Sequence, residues 1–336
     1  MQKEKPVTIK AIAERVGLSL SAVSKALNNY PDINEDTRKI VIDTALKMGY
    51  SPNLIAQSLV NKTSNSIGVI VRDISTIYGE LLKPLSQEAL KHNLILIMAD
   101  SNRDRELEER YIRQMIGSRV KALIIAPVSN DISRIKQLVN SQMPVIYLGG
   151  MVNDEEENFV CADAELNAKI TMNYLFSLGH EQIAFVSCTR SSTSYRIRYQ
   201  TYISMMNERN LKPEVFIDSD GSDLIKTGYR QTKRLLEVTA GVSAVYCATD
   251  LIAIGAIKAI NEADLRIPED ISVIGNDGQE ISGLPTINLT TVVLPKNELA
   301  ENLIRICQSK AENIHGDPEH YYAQPYLVER KSCKRI

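Results

Sequence analysis

Near the start of the chain, apolar residues recur at helical spacing in three short runs, and further along the rhythm changes. Ile9, Ile12, Ala13 and Val16 form the first stripe, with Thr8 placed to cap it and Gly17 to end it. After a three-residue turn, Ser19 caps a second helix that buries Val23, Ala26 and Leu27 and leaves Leu20, Ser21, Ala22, Ser24 and Lys25 on or near its other side. A third helix begins at Asn34, uses Ile40, Val41 and Ala45, and stops at Gly49. From Ile67 onward, apolar runs alternate with amphipathic stretches. Residues 67–71, 94–98, 122–125 and 145–148 read as buried parallel strands, with helices over 79–92, 104–117 and 131–141. A second series places strands near 183–187, 215–217, 243–247 and 271–274, and helices near 164–178, 194–209, 222–237 and 250–262.

Alternating strands and helices of this kind predict two doubly wound α/β lobes behind a small three-helix head. Ligands settle beyond the carboxyl ends of the strands in such sheets, so two facing lobes make a cleft site. Many enzymes use the same layers. Here, however, there is no GxGxxG, GxxxxGK[ST] or HExxH, and His92, His180, His315 and His320 show no metal-ligand spacing, so neither catalysis, a cofactor nor a metal is expected.

Composition narrows the class. The 336 residues are 44% hydrophobic and 24% charged, enough apolar material for a packed core and too little charge for a disordered chain. The first residues lack the apolar stretch of a signal peptide, and no run of about 18 apolar residues follows, so a cytoplasmic protein without a membrane span is expected. The cysteines at 161, 188, 247, 307 and 333 are odd in number and far apart, which favours reduced, packed thiols. The net charge of -2 hides an asymmetry: residues 1–62 hold nine basic against six acidic side chains, +3, leaving -5 for the remainder. A basic head on an acidic body suits a head that meets phosphates.

Two short helices around Gly17-Leu18-Ser19 have the helix-turn-helix form, in which the second helix enters the DNA major groove; the plain alternative is an ordinary three-helix bundle. The run from Val7 to Asn28, and Gly49-Tyr50-Ser51-Pro52-Asn53 followed by Ala56-Gln57-Ser58-Leu59, closely resemble the DNA-binding head of the lac/gal repressor family. The resemblance implies that the exposed start of the second helix reads bases, which points to Leu20, Ser21 and Lys25, with Ala22 a further DNA-binding candidate beside them, while Thr8, Ser24 and Asn28 are better placed for backbone phosphates. Chemically, Leu20 can touch a thymine methyl, Ser21 can donate or accept, and Lys25 can reach either a guanine edge or a phosphate. Residues 52–60, with Asn53, Ala56 and Leu59, resemble the family's hinge helix, which forms on DNA, pairs across a dimer and places a leucine in the minor groove. Nine residues are too few for a stable isolated helix, and the plain alternative is a linker. The expected organisation is a head over 1–50, a hinge and linker over 51–63, and a core over 64–336.

The body, through most of 66–332, resembles the type I periplasmic-binding-protein-like core of the same family. The resemblance is carried by Ile67-Gly68-Val69-Ile70-Val71, Leu178-Gly179-His180, Ala248-Thr249-Asp250-Leu251 and Ile267-Pro268-Glu269-Asp270-Ile271. It implies that Arg198 and Asp277 bind the ligand, and across a cleft such a pair could hold vicinal hydroxyls; alternatively the two form a structural salt bridge. Asp73, Ser75, Tyr78, Asp163, Thr249 and Asp250 are further effector candidates, each able to serve instead as a turn residue or helix cap, and Tyr147 is a candidate as well. Without tryptophan, stacking on a sugar would fall to Tyr78, Tyr147 or Tyr195. The sequence departs from the family pattern in the loop after Asp73, which lacks the usual proline, at Asn276, which replaces an aromatic, and at Thr249, which replaces an asparagine. The resulting expectation is a homodimeric repressor that binds a pseudopalindromic operator and answers to a small, carbohydrate-like effector. A secreted solute receptor would need a signal peptide and no basic head, and a sugar kinase or phosphatase would need a phosphate loop or carboxylate cluster.

Overall fold

The computed structural model describes residues 7–27, 30–50, 64–141, 143–149, 155–188, 193–219 and 221–336. Contacts divide the chain into two units, Met1–Ser64 and Asn65–Ile336. In the first, α1 (Ile9–Val16) begins where Thr8 Oγ1 accepts from the Ala11 amide at 3.3 Å. It ends at Gly17, whose φ of 69° is a left-handed conformation that glycine adopts without a Cβ clash. Ser19 Oγ accepts from the Ala22 amide at 3.1 Å and starts α2 (Leu20–Leu27). Asn34 Oδ1 accepts from the Asp36 amide at 2.8 Å at the head of α3 (Glu35–Lys47). Ile12, Ala13, Val23, Ala26, Val41 and Ala45 form the small core. Ile40 departs from expectation. It is 57% exposed, because Val41 and Ala45 share one helix face and the preceding residue is rotated away from it.

The second unit contains two six-stranded sheets. The first has the order β11-β5-β4-β3-β1-β2, from β1 (Ser66–Val71), β2 (Ile95–Asp100), β3 (Ala122–Ile125), β4 (Val145–Leu148), β5 (Asn158–Ala162) and β11 (His320–Ala323). Its helices are α4 (Ile77–Lys91), α5 (Arg105–Gly117), α6 (Ser133–Val139) and α11 (Lys296–Glu312). The second has the order β12-β10-β9-β8-β6-β7, from β6 (Ile183–Cys188), β7 (Glu214–Asp218), β8 (Ala244–Cys247), β9 (Ser272–Asp277), β10 (Thr290–Val293) and β12 (Tyr326–Val328). With it pack α7 (Ala164–Ser177), α8 (Thr193–Glu208), α9 (Leu224–Val238) and α10 (Asp250–Glu262). The described pairings are parallel except β10 with β12. The α/β class with two doubly wound lobes is therefore as the sequence predicted.

The path between lobes is less simple than two consecutive series. The chain leaves the first sheet after β5, returns to it with α11 and β11, and ends in the second with β12, so it passes between the lobes three times. Close packing of α9 on α10 depends on Gly228 and Gly255, where a Cβ would come within 1.9 Å of Ile252 O and 2.0 Å of Ile225 O. Among the described residues, no helix is long and apolar enough to cross a membrane.

Candidate functional site

Two surfaces carry candidate chemistry. In the head, α2 buries Val23 and Ala26 and leaves Leu20 53% exposed beside exposed Ser21, with Ala22, Ser24 and Lys25 half-buried. Thr8 is exposed, and its hydroxyl oxygen caps α1. Lys25 donates to Asp32, and this hydrogen bond raises the ammonium's pKa above its ordinary value. Asn28, Asn53, Ala56 and Leu59 lie outside the described residues.

In the second unit, the carboxyl ends of both sheets border a cavity of about 430 Å³. First-lobe elements contribute a largely apolar wall that includes Ile77, Tyr78, Leu81, Leu148 and Leu299. Arg72 also lines it, with Nη2 donating to Tyr78 Oη at 2.6 Å and the guanidinium 5.1 Å from that ring's centre. The second lobe contributes Asn167, Ser194, Arg198, Thr249, Asp277 and Gln279.

Arg198 and Asp277 do not face each other across the cleft. Both belong to the second lobe, on α8 and at the end of β9, and both are buried. Arg198 Nη2 donates to Asp277 Oδ1 at 3.0 Å and Nη1 to Ala248 O at 2.7 Å, so the salt bridge weighed as an alternative is present, on the cavity wall. Burial opposes the guanidinium's charge, but nearby Asp277 reverses the balance and holds its pKa above the ordinary value. Asp277 has φ of 98°, a backbone region that a non-glycine residue enters at a cost of about 1–3 kcal/mol, and such strain concentrates at ligand sites.

The other candidates divide. Tyr78, Asp163, Thr249 and the half-buried Tyr195 line the cavity. Asp163 also caps α7, Oδ1 accepting from Glu165 N at 3.0 Å and Leu166 N at 2.9 Å, and Thr249 Oγ1 accepts from Ile252 N at 3.3 Å. Asp73 and Ser75 are not among the lining residues: Asp73 accepts from Arg103 Nη2 at 2.7 Å and from Ser75 N at 3.1 Å, and it is Arg103 that reaches the cavity wall. Tyr147 is corrected outright. Strand alternation sends Ile146 and Leu148 to one face of the first sheet and Tyr147 into the core on the other, at 1% exposure. Asp250 is fully buried behind the wall, accepting from Thr291 Oγ1 at 2.6 Å and Gln279 N at 2.6 Å. Burial, opposed by the Thr291 hydrogen bond, pushes its carboxyl up to about 8. Asn276 likewise lies behind the wall, its Nδ2 donating to Tyr246 Oη at 3.1 Å.

Sequence reasoning missed Arg72, Asn167, Gln279 and Lys296. Arg72 follows β1 directly and Gln279 comes two residues after β9, where the strand-end rule points; Asn167 resembles any polar helix position, and Lys296 starts a helix that was not predicted. Asn167 has no hydrogen-bonding partner for Nδ2 or Oδ1 among the described residues, nor does Arg198 have one for Nε. Each such buried polar atom costs about 1–3 kcal/mol until something pairs with it.

Comparison with known proteins gives these two surfaces a common setting. Residues 8–53 match the family described as "Bacterial regulatory proteins, lacI family", and residues 172–333 match the "Periplasmic binding protein-like domain". Catabolite control protein A of Priestia megaterium is 29% identical over 98% of this chain and 99% of its own. The HTH-type transcriptional repressor PurR of Mannheimia succiniciproducens is 28% identical over 98% and 99%. The fold is also that of the lac repressor dimer bound to operator and the anti-inducer ONPF, with TM-score 0.84, 25% identity, and coverage of 98% of this chain and 100% of that one. These relatives are transcriptional regulators rather than enzymes. The chain thus carries a DNA-binding domain of the lacI family followed by a ligand-binding domain of the periplasmic-binding-protein type, and the relatives it matches along nearly its whole length are lacI-family transcriptional regulators.

Proposed function

We propose that the chain is a cytoplasmic repressor that binds a pseudopalindromic operator as a homodimer and is controlled by a small carbohydrate in the cavity between the lobes. The observation that carries the reading is the pairing, in one chain, of an exposed recognition helix with a cavity at the carboxyl ends of two sheets. In this reading the head spans 1–50, the hinge and linker 51–63 and the core 64–336. Leu20, Ser21 and Lys25 meet base edges with Ala22 beside them at the DNA, and Thr8, Ser24 and Asn28 meet phosphates. Asn53, Ala56 and Leu59 act from the hinge, with Leu59 as the minor-groove wedge. Tyr78, Asp163, Arg198, Thr249 and Asp277 contact the effector, and Asp73, Ser75 and Asp250 support the loops that carry them.

Support for a dimer comes from β2. It lies at the edge of the first sheet, and Ile95, Ile97 and Met98 are 57%, 38% and 51% exposed. An apolar edge strand left uncovered invites uncontrolled pairing, and a second copy of the chain would cover it. The lac repressor structure, a dimer on operator with an anti-inducer, supports the same arrangement.

The test is selection of random duplexes by the full chain, followed by sedimentation and a salt titration of the selected site. The expected result is a dimer on a pseudopalindrome, with affinity falling steeply as salt rises because phosphate contacts release counterions. A monomer on an asymmetric half-site, or salt-independent binding, overturns the reading.

A further inference from the structure

Asn167 sits in the second turn of α7, fully buried and on the cavity wall. The helix does not need its side chain. Asp163 already caps the helix start, the Asn167 amide donates to Asp163 O at 3.0 Å, and the Thr171 hydroxyl donates to the Asn167 carbonyl at 3.1 Å. Yet its carboxamide has neither a donor nor an acceptor facing it among the described residues, and Arg198 Nε on the same wall is also unpartnered.

We propose that Asn167 selects the ligand by gripping two adjacent hydroxyls of a neutral polyol, Nδ2 donating to one and Oδ1 accepting from the next. The proposal deepens the reading of the cavity as the effector site and rests on it. A carboxamide presents one donor direction beside one acceptor direction in a fixed plane. Adjacent hydroxyls, each able to donate and accept, match it. The rest of the wall makes the same demand: Arg198 only donates, Asp277 when ionised only accepts, and Ser194 and Thr249 can do both. An anionic group offers acceptors alone and leaves Oδ1 unpaired. Arg198 and Asp277 already neutralise each other, so that pair calls for no net charge on the ligand. Ile77, Leu81, Leu148 and Leu299 opposite suit the C–H face of a sugar ring.

The experiment uses the full chain, with thermal-shift and calorimetric titrations of D-glucose, D-ribose and cellobiose as neutral polyols, D-glucose 6-phosphate as an anion and adenine as a planar base. At least one neutral sugar is expected to raise the Tm of the wild type. Asn167→Leu should weaken that sugar about tenfold to a hundredfold while its own ligand-free Tm stays level or rises, since an apolar side chain of similar size removes two unpaired buried atoms. Asn167→Asp, which keeps the acceptor and loses the donor, should weaken the same sugar and provides a second variant should the leucine fail to fold. A Tm that falls in Asn167→Leu with sugar affinity intact marks a structural asparagine and overturns the proposal, as does binding of only the phosphate or the base, or of no sugar at all. Sugar binding lost in Arg198→Ala but kept in Asn167→Leu removes Asn167 alone, whereas binding that survives both overturns the cavity reading itself.

Discussion

The two lobes run their first five strands in the same spatial pattern, β2-β1-β3-β4-β5 in one and β7-β6-β8-β9-β10 in the other, yet they build opposite walls. The first lobe presents aliphatic and tyrosine surface, and two of the cations on its side are engaged by carboxylates, Arg103 by Asp73 and Lys296 by Glu80. The second lobe presents a buried ion pair, a strained aspartate and an unpaired carboxamide. One topology thus supplies an apolar face and a polar face, and the difference lies in the side chains that the strand ends and the neighbouring helices bring to the cavity. The first wall gives shape and exclusion of water; the second gives selectivity, because buried polar groups reject whatever fails to pair with them.

The sharpest way to break this contrast is to remove its central charge. Arg198→Ala leaves Asp277 buried without its partner and Ala248 O without its donor, so unfolding stability should fall by about 3–5 kcal/mol. The response to effector should vanish as well. Adding Asp277→Asn should recover part of the stability and none of the response, as read by denaturant titration beside operator binding with and without ligand. If Arg198→Ala alone is as stable as the wild type and still responds, the polar wall is not what holds the ligand.

Asp250, behind that wall, sharpens the comparison through pH. In the unfolded chain its carboxyl ionises in the ordinary carboxylate range, whereas burial in the fold holds the proton up to about 8. Between those limits the folded state binds more protons. Its contribution is therefore complete at acid pH, falls as pH rises by up to about 1.4 kcal/mol per pH unit, and levels off above the folded value. Asp250→Asn, whose amide can serve both Thr291 and the Gln279 amide, should flatten that slope in Tm measurements between about pH 5 and 8, the window the two ionisations define. An unchanged slope would place the dependence elsewhere.

A smaller effect is expected where the lobes touch. Glu80 on α4 accepts from Lys296 Nζ at 2.5 Å and from the Glu280 amide at 2.9 Å, while Lys296 also donates to Gly278 O at 2.9 Å. This cluster ties the two lobes beside the cavity. Glu80→Gln should loosen it and change effector affinity by roughly fivefold, with little loss of stability, if ligand binding and lobe arrangement are coupled. Calorimetry that finds identical affinities would make the cluster a passive contact.

These features were legible in the sequence to different degrees, for physical reasons. Buried parallel strands are continuous apolar runs, so β3 and β4 were read from sequence with the bounds they have, and Thr8, Ser19 and Asn34 announced their helices because capping is local. Elements that complete a sheet from far along the chain were not: β11 pairs with β5 across some 160 intervening positions, and α11 packs on the first lobe although it follows the second. Leu299, Ala300, Leu303, Ile304 and Cys307 do form a helical stripe, but no local pattern says which sheet it covers. Asn167 was hidden for a related reason, since a polar residue on a helix reads as exposed until the packing of α7 and α8 buries it.

The last contrast sets the exposed head against the buried wall. Lys25 and Asp32 form an ion pair with both side chains about half exposed, where Arg198 and Asp277 are almost fully enclosed. Solvent screens the exposed pair, so Lys25→Ala should leave the Tm of the chain nearly unchanged. Its effect belongs to DNA. A lysine that reaches a guanine edge would relax preference at one operator position, whereas one that meets a phosphate would weaken all duplexes alike and lower the salt slope by about one ion. Asp32→Asn separates DNA contact from the intramolecular pair: with the competing carboxylate gone, Lys25 is released and a negative charge near the duplex is removed, so affinity should rise by a factor of roughly two to five at low salt. Fluorescence anisotropy on operator and unrelated duplexes at two salt concentrations measures both variants. Should Asp32→Asn bind no tighter, and Lys25→Ala no weaker, the lysine takes no part in recognition and the exposed side of α2 must read DNA through Leu20 and Ser21 alone.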